Sequence, residues 1–221
     1  MEFKPLIDAC TIALPVLYGA LVLLYGLTFF GSSVTARRLQ LPLLLTTLLI
    51  HALYLLGRSS AFDHPPITNV FEIMTLLAAL IALAYAYIEW RTRTRSTGFF
   101  ILSLAFAFQL VSSLFIRDSV NIPDYLHSRV LGFHVAAALL GYTAISLSAV
   151  YGFLYLMLYH EIKSSRFGLI YNRLPNLEML ETMSHKAEVL GFVSLSVTIS
   201  PPLIAMVSCI RAATISFVAT Y

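Results

Sequence analysis

Six apolar runs follow one another along the chain, at about residues 9–31, 41–57, 70–88, 98–116, 130–159 and 188–210. Short clusters of charged and turn-forming residues separate them. None alternates with the period of two that a barrel strand requires, so backbone groups placed in hydrocarbon are satisfied only within helices. A spanning helix needs roughly 20 apolar residues. The pattern therefore predicts an all-α, polytopic transmembrane helical bundle of about six spans, forming one integral membrane domain over residues 1–221. The second run is short for a span, and the fifth is long enough to tilt or to project beyond the bilayer. In the sixth, Pro201 and Pro202 remove two backbone donors in succession, which predicts a kink or break. Ahead of it, NLEMLETMSHKAEV reads as an interfacial or cytoplasmic helix capped by Asn176, with Pro175 before it.

Composition sharpens the class. The chain is 59% hydrophobic and 11% charged, where a soluble domain carries about 25% charged residues. Its mean hydropathy is +0.84, and the loops leave no room for a soluble domain. The net charge of +3 lies in short loops between apolar runs, as topology determinants do, and points to no nucleic acid. Alternate loops place nine basic residues on one side (Arg37, Arg38, Arg91, Arg93, Arg95, Lys163, Arg166, Arg173, Lys186). The other side carries five (Lys4, Arg58, Arg117, Arg129, Arg211). The richer side is expected to be cytoplasmic, which puts the N-terminus outside. Glu2, Lys4 and Asp8 precede a first run long enough to span, so no cleavable signal peptide is expected. Cys10 and Cys209 read as small buried apolar residues whose pairing is possible and not implied.

Two histidines interrupt the apolar pattern. His134 follows Arg129 by five residues, so it should lie about 7–8 Å below the outer interface. His51 precedes Arg58 by seven residues, about 10 Å below the same surface, and Glu72 enters the third span near that level. Ala138, Gly141, Ile145 and Ser148 continue the His134 stripe and leave space for a neighbouring helix or a flat ligand. An imidazole in hydrocarbon has three uses: bonding between helices, ligation of haem iron, and proton relay. The pattern leaves all three open. Arg58, Arg117 and Arg129 line the outer edge, either snorkelling to the interface or pairing with the carboxylates of a haem. His64 and His127 fall in outer loops and His160 and His185 on the cytoplasmic side, where they read as solvated.

Three segments carry a resemblance. PPITNVFEIMTLLAALIALAYAYIEW resembles the Asn-x-x-Glu span of cytochrome c assembly proteins of the CcsA/HemX-like group. VLGFHVAAALLGYTAISLSAVYGFLYLM is similar to that family's histidine-bearing helix, and RLPNLEMLETMSHKAEVLGFVSLSVTI to the segment after it. The likeness covers about residues 40–199. It implies a multi-pass protein of the cell inner (cytoplasmic) membrane that handles haem for attachment to apocytochrome c, with the haem site toward the outer face. His134 falls on the family's external haem-ligand histidine, as axial ligand to the iron. Asn69 and Glu72 fall on its Asn-x-x-Glu motif, and His51 matches an intramembrane histidine of HemX-like members. The tail over 200–221 departs from the family. It lacks the tryptophan-rich loop and later histidine of the CcsA branch, Trp90 being the chain's sole tryptophan. The departure implies a HemX-like member without that loop, or a chain truncated or shifted in frame near the two prolines.

The expected function is a haem-binding, haem-presenting component of cytochrome c maturation rather than a self-sufficient enzyme, with no catalytic residue of its own. It would act with other membrane proteins of that system. His134 is the expected axial ligand, and His51 a second internal ligand or an orienting residue. Asn69 and Glu72 would steady neighbouring helices, with Arg58 and Arg129 supporting. The alternatives are a HemX-like membrane regulator of haem synthesis, and a small proton-coupled transporter using His51, Glu72 and His134.

Overall fold

The computed structural model describes residues 4–31, 33–62, 64–116, 129–165 and 168–219, with side chains for all of these except 129, 130 and 200–219. The described residues form α1 (Lys4–Gly31), α2 (Val34–Phe62), α3 (Val70–Thr92), α4 (Gly98–Phe115), α5 (Arg129–Lys163), α6 (Leu169–Arg173) and α7 (Leu177–Ala219). No strand occurs among them. Helices α1 to α4 and residues Leu131–Lys163 of α5 are long and apolar enough to cross a membrane. This is the expected all-helical membrane bundle. The short second run is the centre of a 29-residue helix. It is lengthened at one end by Arg37, Arg38 and Gln40 and at the other by Arg58, polar residues that a hydropathy boundary leaves outside.

The first four helices pack in a ring, α1 against α2 and α4, and α3 against α2 and α4. Short connections make each an antiparallel neighbour of the last. Tyr18, Tyr25, Tyr85, Leu14, Leu21, Ile81 and Ile101 fill the centre. The outer surface carries exposed Leu23, Leu45, Leu49, Leu53, Leu56 and Leu83. Lipid is as apolar as leucine, so burial of apolar side chains adds little drive here, and buried polar pairs take on the joining of helices.

Helix α5 is 35 residues long; at 1.5 Å per residue it spans about 52 Å and outreaches a hydrocarbon core of about 30 Å. It packs along α7 and touches α3, which ties this pair to the four-helix ring. The Asn176 side chain accepts from the Met179 N–H at 3.0 Å, the cap the sequence predicts. The interfacial helix and the last span are one continuous element, and the break expected at Pro201–Pro202 is absent. Proline's fixed φ suits a helix, so two missing donors need not end it. They do release carbonyls one turn earlier. Cys10 is a half-buried free thiol, whereas the side chain of Cys209 lies outside the described residues. His127, Arg117 and Arg166 fall outside them as well.

Candidate functional site

The α5–α7 seam is antiparallel and built on close approach. A methyl group at Gly141 would stand 2.7 Å from the Leu195 side chain, and one at Gly191 would stand 2.7 Å from Ile145. Further along, the Ser148 and Ser184 hydroxyls lie 3.2 Å apart. The small-residue stripe below His134 is therefore filled by a neighbouring helix, one of the two occupants the sequence allows. At its His134 end the seam opens. A groove of about 400 Å³ is lined by Ile73 of α3, by His134, Ala138 and Tyr142 of α5, and by Leu195 and Thr198 of α7.

His134 is half-buried in this groove, its Nδ1 2.9 Å from the backbone carbonyl of Thr198. A carbonyl only accepts, so as a neutral ring His134 carries its proton on Nδ1 and keeps the lone pair on Nε2. The carbonyl's availability is written in the sequence. In a helix it would accept from the N–H four residues later, and that residue is Pro202, which has none. The proline thus supplies the acceptor that sets the imidazole's tautomer and orientation, the usual preparation of a metal-binding or proton-accepting histidine.

His51 sits elsewhere. It is fully buried, with Nδ1 3.0 Å from the Tyr18 hydroxyl and Nε2 3.1 Å from the Thr75 hydroxyl. Thr75 gives its one proton to Gln109 Oε1 at 2.7 Å, and Gln109 Nε2 donates to Ser113 at 3.0 Å. His51 must then donate from Nε2 to Thr75, leaving Nδ1 to accept from Tyr18. The Tyr18 hydroxyl has an alternative acceptor in the Ala78 carbonyl at 3.4 Å, and the shorter bond wins. One directed chain links α1, α2, α3 and α4, and both nitrogens of His51 are occupied within it.

The two histidines meet α3 at neighbouring levels. Ile73 lines the His134 groove and Thr75 bonds His51, two positions apart and so about 3 Å along α3. Two positions also turn the helix by about 200°, so α3 stands between the rings. The structure does not bring His51 and His134 to one site.

The Asn-x-x-Glu motif opens α3. Asn69 caps it, accepting from the Glu72 N–H at 2.9 Å. Glu72 is buried; its Oε2 accepts from the Thr68 N–H at 2.8 Å and hydroxyl at 2.7 Å, and its Oε1 pairs with Arg58 at 3.0 Å. Arg58 is 2% exposed, and its guanidinium lies 5.0 Å over the Phe62 ring. It therefore neither snorkels to the interface nor stands free for a ligand's carboxylate; it faces inward because Glu72 is there. The pair joins α2 to the N-terminus of α3, next to the turn that presents Ile73 to the groove. Arg129 is the first residue of α5, its side chain outside the described residues. Among the described residues no three His, Cys, Asp or Glu side chains gather as a metal-ion cluster. Thr198, Tyr142 and Ile73 escape a search for chemistry-bearing side chains, since one contributes its backbone and the others apolar walls. The legible signal was Pro202, four positions after Thr198.

Residues 67–200 match the model of a family described as cytochrome C assembly protein. Among curated proteins, the chain is 27% identical over 186 residues to Protein HemX of Brevibacillus brevis, covering 83% of this chain and 68% of that protein. It is 25% identical over 178 residues to Protein HemX of Bacillus subtilis (strain 168), covering 80% and 64%. To the cytochrome c biogenesis protein CcsA of Heterosigma akashiwo (strain NIES-293 / 8280G21-1) it is 31% identical over 114 residues, covering 50% and 35%. The chain thus spans about a third of that CcsA and about two thirds of the HemX proteins. No solved structure matches it.

Proposed function

The chain belongs to the cytochrome c assembly protein family, and from that membership we propose that it is a multi-pass membrane component of cytochrome c biogenesis that binds haem and presents it. The observation that carries this reading is the bond from His134 Nδ1 to the Thr198 carbonyl, which leaves Nε2 as the ligating nitrogen at an apolar groove. A porphyrin supplies four in-plane nitrogens to its iron, so one protein imidazole suffices as axial ligand and no metal-ion cluster is needed. The walls at Ile73, Ala138 and Leu195 suit the face of a flat apolar plate and hold water away from the nitrogen. Arg129, about one and a half turns above His134, is the residue proposed to pair with a haem carboxylate. Asn69, Glu72 and Arg58 hold the α3 wall, and His51, with both nitrogens engaged, takes the orienting part rather than ligation.

The basic-residue bias supports insertion in the inner membrane with this groove toward the outer face. Apocytochrome c and other maturation proteins are the proposed partners, and the attachment chemistry itself belongs to that assembly. The test is haemin titration of the purified full chain. The wild type should give a saturable Soret shift, which His134→Ala loses and added imidazole restores. Equal haemin uptake with and without the ring would overturn the assignment. A second reading, a membrane regulator of haem synthesis, is favoured by the HemX matches running over more of this chain than the CcsA match does. It requires deletion of the chain to change tetrapyrrole levels while cytochrome c stays normal.

A further inference from the structure

At the opposite end of the bundle a second cavity, of about 230 Å³, has a different lining. Four arginines line it: Arg37 from the first turn of α2, Arg93 and Arg95 from the α3–α4 turn, and Arg173 from α6. Thr94 and Ser96 share its wall, the Thr94 hydroxyl donating to Thr92 Oγ1 at 2.6 Å. The large grooves elsewhere, such as the one between α1 and α4 at Pro15 and Phe106, are almost wholly apolar.

A topological role accounts for arginines on this side and does not require them to meet. Glu89 balances the charge of Arg95, but like charges brought to one cavity repel, by about 0.6 kcal/mol per pair at some 7 Å even in water. Yet the fold fixes this arrangement. Buried Glu89 accepts from the Tyr25 hydroxyl at 2.5 Å and pairs with Arg95 at 2.8 Å, and Arg95 Nη1 reaches the Arg37 carbonyl at 2.6 Å. Arg95 is thereby locked between α3 and α2. Arg93 ends α3 with φ at 60°, the left-handed region where glycine is the cheaper residue. Its side chain is carried at a position where the backbone would prefer none. Arg173 comes from the α5–α7 side of the molecule, so the cavity bridges the two packing units.

We infer that this cavity binds a phosphate group, delivered by the headgroup of an anionic phospholipid at the membrane surface. Guanidiniums match phosphate oxygens bidentately, and Ser96 brings a hydroxyl donor to the same wall. The cavity lies level with the ends of the spans, where headgroups are, and exposed Leu27, Phe30 and Trp90 offer apolar surface close by for the acyl chains. A bound phosphate would join α6 to the α3–α4 turn and so brace α5 and α7 against the ring.

The test is thermal unfolding of the full chain in neutral detergent, followed by Trp90 and tyrosine fluorescence. Three additions are compared: phosphatidylglycerol, phosphatidylcholine and inorganic phosphate. Phosphatidylglycerol should raise the midpoint by several degrees in a saturable way, phosphatidylcholine should not, and millimolar inorganic phosphate should compete. Arg173→Gln should weaken the lipid response roughly tenfold. Arg93→Gly separates binding from folding: its basal midpoint should hold or rise while its lipid affinity falls about as far. Protection by inorganic phosphate with nothing gained from lipid keeps the anion site and overturns the lipid source. Equal lipid responses in wild type and both variants overturn the site.

Discussion

Replacing Pro202 with alanine should make the protein more stable and bind haem less tightly. The substitution returns an N–H to position 202 and, with it, the helical partner of the Thr198 carbonyl that now accepts from His134 at 2.9 Å. A proline inside a helix costs about 3 kcal/mol relative to alanine, so the unfolding midpoint should rise. The imidazole, by contrast, comes to share its acceptor. An interhelical bond of this kind is worth about 0.6–2 kcal/mol in a membrane, and that energy also biases the ring toward the tautomer with Nε2 free. Losing most of it corresponds to a drop in haem affinity of roughly three- to thirtyfold. Pro201→Ala is the control, because it serves the carbonyl of Val197, which is not the partner of His134. It should give a comparable stability gain with haem affinity unchanged. Soret titration and detergent-solubilised unfolding, run on both variants, decide the matter. Should Pro202→Ala bind haemin within twofold of wild type, or Pro201→Ala weaken it equally, the carbonyl is not what prepares His134.

Other expectations concern the scaffold. Glu72→Gln leaves the Arg58 guanidinium buried without its counter-charge and should destabilise by about 3–5 kcal/mol, whereas Arg58→Met combined with Glu72→Leu should cost less, as a double-mutant cycle of unfolding midpoints would register. His51→Phe leaves the Tyr18 hydroxyl only its longer bond to the Ala78 carbonyl and removes the donor to Thr75, and should lower stability by about 1–2 kcal/mol, with the Soret amplitude per folded molecule retained; a lost Soret band would restore His51 as a ligand. Gly141→Ala should cost about 1–3 kcal/mol by pushing α7 off α5, with partial recovery when Leu195→Ala is added, both read from the unfolding midpoint.

Much of the architecture was legible along the chain. Every apolar run became a helix because lipid leaves the backbone no other partner, and charged residues marked the ends. Asn176 announced a helix start, since a side-chain amide at that position satisfies an orphan N–H whatever surrounds it. That His51 and His134 meet α3 at neighbouring levels agrees with residue counts, as the rise of a helix is fixed. The two prolines were read as a kink or break; the helix continues through them and they act as an acceptor release, because the same missing donor has either result depending on what lies opposite.

What residue counts leave open is rotation about each helix axis and the identity of its neighbours. Lipid and a packed helix are about equally apolar, so an outward and an inward leucine look alike in sequence. Tertiary structure alone decided that α3 stands between the two histidines, and that Arg58 turns inward to Glu72. It likewise decided that α7, rather than a ligand, fills the glycine stripe up to the end where His134 is left its groove. Those outcomes rest on contacts between residues far apart in the chain, whose geometry no local period encodes.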